Sequence, residues 1–153
     1  MAPFLNWLNL RRKPKDKLWL NLKPLKVKYQ PKPANFILDV LKQYYPDATI
    51  IQLDVSYHIE PKAVVEEWIR EFPRIRPYIK EVYDCDNFAF WFKAWMSLRF
   101  LLNSVGYCHG MHPLGYHAFN LVVTLEKQPY TIEPQAPYRL LPYNVYGVDW
   151  III

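Results

Sequence analysis

Hydrophobic positions recur at helical spacing in three stretches of this chain and alternate with polar ones in others. Within 33–45, Phe36, Ile37, Val40, Leu41 and Tyr44 lie three or four residues apart, which predicts a helix that Pro46 stops. Ile51, Leu53, Val55 and Tyr57 alternate with Gln52, Asp54, Ser56 and His58, the period of a strand or extended segment. Pro61 opens a second helix with Val64, Val65, Trp68, Ile69 and Phe72 on one side, closed by Pro73. After an irregular approach over 74–83, a long helix is expected from about Asp84 to Leu102. Its apolar positions (Phe88, Phe90, Trp91, Phe92, Trp95, Leu98) run almost all the way round, the mark of a helix buried in mid-domain. The stretch 103–115 reads as a loop punctuated by Gly106, Gly110 and Pro113. Two strand-like runs, 117–125 and 130–133, are joined by 126–129 as a hairpin loop, and 150–153 is a final β-rich run. Helices first and an antiparallel sheet afterwards predict an α+β domain.

At 153 residues the chain suits one domain with a real core. Aromatic residues make up 17%, enough to build a core or a surface groove from large flat rings, and 14 prolines against 4 glycines imply stiff connections. The net charge of +5 is unevenly placed. Residues 1–32 carry nine Lys or Arg and a single acid, Asp16, whereas 33–153 is mildly acidic. The division expected is therefore a basic, proline-rich arm over 1–32 and a folded domain over 33–153. Such an arm suits an anionic surface, nucleic acid or an acidic partner, or is simply a solvated tail. No run approaches the roughly 20 apolar residues needed to span a bilayer. The charges that follow the apolar start lie on the wrong side for a secretory signal, so none is expected. Two cysteines make no disulfide framework and fit a reducing compartment, which points to a cytoplasmic or virion-associated protein.

Three segments carry candidate chemistry. Cys85 lies in the first turn of the expected central helix, where unpaired N–H groups and the helix dipole stabilise a thiolate, although Asp84 and Asp86 oppose that effect. A buried structural cysteine is the plainer reading. His117 opens a strand after a glycine-containing loop, where an imidazole can face a helix N-terminus and act as base and acid, or simply be a satisfied half-buried histidine. Glu133 ends the strand after the hairpin. It can accept the other imidazole N–H and fix its tautomer, or be an ordinary edge-strand glutamate. Gln135 shares the Glu133 side if the backbone stays extended through Pro134.

The segments Cys85-Asp86-Asn87-Phe88-Ala89, Gly115-Tyr116-His117-Ala118-Phe119-Asn120 and Ile132-Glu133-Pro134-Gln135 resemble three motifs of papain-like proteins found in phages and in the protease domain of certain fungal agglutinins. The resemblance covers roughly 33–153 and leaves the basic arm unexplained. It implies a papain-like domain, with a buried Cys-bearing helix on a small antiparallel sheet. It implies Cys85 as nucleophile, His117 as base and acid, and Glu133 as orienting group. The reaction implied is cleavage of a peptide or cell-wall amide bond through a thioester, or acyl transfer to an amine. This chain departs from the pattern at one point: no glutamine precedes the cysteine within 76–84. The Cys85 N–H would then give one oxyanion donor, and Gln135, Asn120 or Gln52 the second. The fungal members are divalent-metal dependent, which makes Asp84 and Asp86 candidate ligands, although adjacent acids at a helix start are more often caps. Cys108-His109 with His112 lacks the second ligand pair of a structural zinc, so no cofactor or metal is expected. The rival to a hydrolase is a catalytically silent scaffold that acts as a structural or binding protein through its basic arm. A third reading is a nucleic-acid binder, with the arm on phosphates and aromatic rings on bases.

Overall fold

Alternation along one long strand divides the protein into two apolar layers. In a strand, successive side chains point to opposite faces. In 118–123, Phe119, Leu121 and Val123 enter a cluster with Ile37, Val40 and Leu41. Val122 faces the other way, among Phe92, Trp95, Met96 and Phe100. Each layer is dry and aromatic-rich, and each is covered by a helix.

The computed structural model describes residues 29, 31–73, 77–137 and 139–153. Its elements, in order, are β1 (Pro31–Pro33), α1 (Ala34–Tyr44), β2 (Thr49–Ile51), β3 (Ser56–His58), α2 (Lys62–Ile69) and α3 (Cys85–Phe100). They continue with β4 (Val105–His112), β5 (Gly115–Val123), β6 (Pro129–Ile132), β7 (Leu141–Pro142) and β8 (Trp150–Ile152). A six-stranded sheet has the order β2-β8-β4-β5-β6-β7, and β1 pairs with β3 in a separate ribbon. Within the main sheet β2 runs parallel to β8, and the remaining pairs are antiparallel.

The three helices stand where the hydrophobic spacing places them, and each begins on the residue the sequence marks. Pro33 and Pro61 occupy the N-caps of α1 and α2. At α3 the Asp84 N–H donates to Asn87 Oδ1 at 3.2 Å, and the Asn87 N–H donates to Asp86 Oδ1 at 2.7 Å. The helix ends on Leu101 in the left-handed conformation, φ 58°. α3 is not enclosed all round: Phe90 and Leu98 are more than half exposed, and Phe90 lies stacked on Tyr107.

The largest correction to the expected architecture concerns the sheet. It is neither small nor purely antiparallel. The stretch 103–115 is not a loop but holds β4, which pairs with both β5 and β8. Its glycines serve close packing rather than turning. A Cβ built on Gly110 would lie 1.8 Å from the Gly147 carbonyl oxygen, so only glycine lets the 143–149 segment rest on the strand. The parallel β2–β8 pair joins residues a hundred positions apart, and hairpin reasoning has no access to such a pair. The expected strand over 51–57 divides into β2 and β3, which belong to different sheets. The expected boundary of the arm at residue 32 falls inside β1, whose Lys32 pairs with Tyr57. The arm's other basic residues and its two tryptophans, Trp7 and Trp19, lie outside the described residues. No helix among the described residues is long and apolar enough to cross a membrane.

Gly110→Ala should be among the most damaging single-methyl changes in the protein. The added carbon meets backbone, which cannot rotate away, so a loss of about 2–3 kcal/mol is expected. Thermal melts of the variant and the parent chain check it; a melting temperature within a degree or two of the parent would contradict the close approach.

Candidate functional site

His117 and Glu133 are brought together by the β5–β6 pairing. Asn120 is level with Ile132, so the strands run back past each other until Glu133 stands across from the first half of β5. His117 Nε2 lies 2.8 Å from Glu133 Oε2, with both side chains about one-fifth exposed or less. Since a carboxylate only accepts, the ring proton sits on Nε2 and donates to Glu133, leaving Nδ1 free to accept. Tyr146 donates its hydroxyl to the same oxygen at 3.4 Å, and the Gln135 N–H donates to Oε1 at 3.1 Å. Three donors thus fix the carboxylate. Burial, and then the neighbouring Glu133 charge, push the Tyr146 phenol above its ordinary pKa. The imidazole is held by rings as well: Tyr146 stands edge-on at 5.9 Å and His112 lies 5.3 Å away.

This pair forms one wall of an open pocket of about 370 Å³, lined also by Tyr78, His112, Tyr116 and Gln135. Tyr78 and Tyr116 are both about half exposed, so their ring faces are free to meet a ligand. The pocket therefore combines two aromatic faces with a compact set of polar groups whose positions are already fixed.

Cys85 is placed differently. It is the first residue of α3 and packs against the Ala89, Tyr107 and Ala118 cluster, which lies under the helix. His117 belongs to the alternate set of β5 positions, with Phe119, and turns toward Tyr146. No hydrogen bond joins the Cys85 thiol to His117 or Glu133. The helix start is also electrostatically occupied: a hydrogen bond with Asp86 is the main cause that holds the Asp84 carboxyl above its ordinary pKa.

The supporting candidates separate in the same way. Asn120 is fully buried, and both protons of its amide are committed, to the Ala89 and Gly106 carbonyls at 3.0 Å each. It is a structural clamp and has no donor left for a ligand. Gln52 is exposed and donates to the Asp54 carbonyl at 2.7 Å, away from the pocket. Gln135 alone of the three lines it. Cys108, His109 and His112 do not converge. Cys108 is fully buried, His109 Nε2 lies 2.6 Å from the Tyr107 hydroxyl, and His112 Nδ1 accepts the Leu114 N–H. No group of three or more His, Cys, Asp or Glu among the described residues is arranged to hold a metal. His112 was weighed from sequence only as part of a zinc fragment, and Tyr78 and Tyr146 were not singled out. The first two flank segments read as loop, and Tyr146 arrives from a connection with no periodicity.

No family model and no curated protein matches this sequence. Solved structures do. One described as the "PSL1a-E64 complex" superposes with a TM-score of 0.62 at 20% identity, over 80% of this chain and 51% of that one. A second, Polyporus squamosus lectin bound to a human-type influenza-binding epitope, Neu5Aca2-6Galb1-4GlcNAc, gives 0.59 at 18% identity, over 80% and 49%. The chain spans about half the length of these structures, and at such identity the likeness establishes a shared fold. The expectation of a papain-like thiol hydrolase is corrected by these findings: one of the similar chains is a lectin, and the sheet is a six-stranded mixed one.

The two thiols should differ sharply in accessibility. Burial pushes the Cys108 thiol far above its ordinary pKa, and the side chain is sealed, whereas Cys85 is partly exposed. Brief iodoacetamide treatment at neutral pH should modify Cys85 alone, with Cys108 reacting only in denaturant. Peptide mapping by mass spectrometry reads this directly, and comparable labelling of both in the native protein would show that the core around Cys108 opens.

Proposed function

We propose that this protein is a binding protein that takes a neutral sugar in the pocket beside His117 and Glu133. The observation that carries the reading is the fixed His117–Glu133 pair in a pocket that the half-exposed Tyr78 and Tyr116 also line. A sugar offers an apolar C–H face and several hydroxyls, each both donor and acceptor. Aromatic faces suit the first, and a free imidazole nitrogen, a carboxylate and the Gln135 amide suit the second. The fold shared with a sugar-binding lectin supports this direction without defining the sugar. Glu133 argues for a neutral ligand, because a sialic acid carboxylate brought beside it meets like charge.

The test is a titration of isotope-labelled protein with Galβ1-4GlcNAc and, separately, with its sialylated form. The neutral disaccharide should shift the amides of Gly115, Tyr116 and Gln135 at about millimolar affinity, the sialylated one more weakly. Tyr116→Ala and Glu133→Gln should each weaken binding about tenfold or more. Absence of shifts at about 10 mM of either sugar would overturn the reading.

A second reading applies to the basic arm. Nine Lys or Arg within 1–32 give this segment a charge opposite to the rest of the chain, which supports attachment to an anionic surface or acidic partner. Because β1 begins at Pro31, removal of 1–28 is the cut that spares the β1–β3 ribbon. Binding of the full chain to heparin resin should fall steeply between 50 and 200 mM salt, on the order of the slopes for several phosphate contacts. The shortened chain should lack this retention; equal retention by both would refute a role for the arm.

A further inference from the structure

The sheet face on the α3 side is only partly covered. Beyond the first turn of α3, it presents Tyr107, His109 and Met111 from β4, Tyr116 from β5 and Trp150 from β8. These rings touch in sequence. Phe90 stacks on Tyr107 at 4.0 Å and 13°, Tyr107 lies 5.6 Å from Trp150, Trp150 lies 4.6 Å from His109, and His109 meets Tyr116 edge-on at 5.4 Å. Phe90, Tyr116 and Met111 are all more than half exposed and His109 and Trp150 partly so, whereas Tyr107 is buried with Phe90 stacked on it, so the row is a surface anchored on one core ring.

The carboxylates among the described residues that act on this floor come from three positions. Asp86 acts on both the Tyr107 hydroxyl and the His109 ring, Asp84 acts on Tyr107, and Asp149 stands beside the Tyr116 hydroxyl. Besides Asp86, what bears on the His109 ring is its own burial, which lowers its pKa, and the nearby His117 on the other face of β5. Among the described residues, the cations over rings are Lys62 on Tyr130, Arg99 on Phe100 and Lys127 on Phe36, none of them in this row.

We propose that this aromatic floor, rimmed by Asp84, Asp86 and Asp149, binds the lysine or arginine side chains of a basic peptide. Ring faces carry negative potential and attract cations, Trp most strongly, and the surrounding carboxylates add to the attraction instead of cancelling it. A guanidinium is the better fit, since it stacks flat on an indole and still reaches a carboxylate through its fork of donors. An anionic or phosphate-bearing ligand is disfavoured by the same three carboxylates. This inference does not depend on sugar binding in the neighbouring pocket.

The experiment uses the full chain and a labelled peptide, acetyl-Gly-Arg-Gly-Arg-Gly-amide, with a citrulline version as the uncharged isostere. Fluorescence anisotropy should show binding of the arginine peptide, and replacement by citrulline should weaken it about tenfold or more. Tyr116→Ala and Asp86→Asn should each weaken it several-fold, and Trp150→Phe, which keeps an aromatic ring in the row, should retain most of it. Trp150→Ala should lose more than Trp150→Phe, with both variants checked by circular dichroism. Equal binding of the two peptides would overturn the proposal. So would loss on Asp86→Asn without loss on Tyr116→Ala or Trp150→Ala, which would mean attraction to charge alone.

Discussion

The arrangement of this protein depends on one buried amide. Asn120 sits in the middle of β5 with no exposure and gives one proton to the Ala89 carbonyl of α3 and the other to the Gly106 carbonyl of β4. Apolar packing holds α3 against the sheet but is non-directional, and a row of Phe and Trp could slide along the strands at small cost. Two hydrogen bonds from a single planar group in a dry interior fix the helix in register, because breaking either leaves a buried polar group unpaired. The register in turn decides where the first turn of α3 lies, with Cys85 over Ala118 and Phe90 over Tyr107.

From that anchor the two surfaces follow. The odd positions of β5 turn toward α1 and deliver His117 to Tyr146 and Glu133. The even ones turn toward α3 and place Tyr116 beside His109. The segment 143–149 completes the first surface by lying across β4, with the Gly147 N–H donating to the Met111 carbonyl and the Asp149 N–H to the His109 carbonyl, both at 2.9 Å. Only the missing side chain at Gly110 allows that approach, and it brings Tyr146 to the His117–Glu133 pair. One glycine, level with His117 on the neighbouring strand, thus decides how Tyr146 reaches Glu133.

Much of this was legible in the chain, and the gaps have physical causes. The helices were readable because each has an apolar stripe and a proline or acidic start, features local to ten or fifteen residues. The His117–Glu133 contact was readable because a short hairpin joins their strands. β4 was not: Gly106 and Gly110 look like loop punctuation, and only the partner segment shows that they are close-packing sites. The β2–β8 pair, and the placement of Trp150 in the aromatic row, rest on contacts between distant parts of the chain that no local pattern reports. Phe90 was read as core because a helix ringed with apolar residues is normally buried. Here one of those residues is the exposed lid on the buried Tyr107 ring.

The motifs at Cys85 and His117 show why local resemblance settles less than it promises. A cysteine one residue after a capping aspartate, and a histidine beside an alanine at the start of a strand, are each good solutions to a structural problem. The small Ala118 lets the first turn of α3 approach β5, Cys85 fills the space above it, and Asp84, Asp86 and Asn87 satisfy the N–H groups at the helix start. Meanwhile His117 takes its fixed geometry from Glu133 and Tyr146 on the other side of the strand. The residues that carry the motifs thus also meet local structural needs, Cys85 in the packing under α3 and His117 in its contacts with Glu133 and Tyr146.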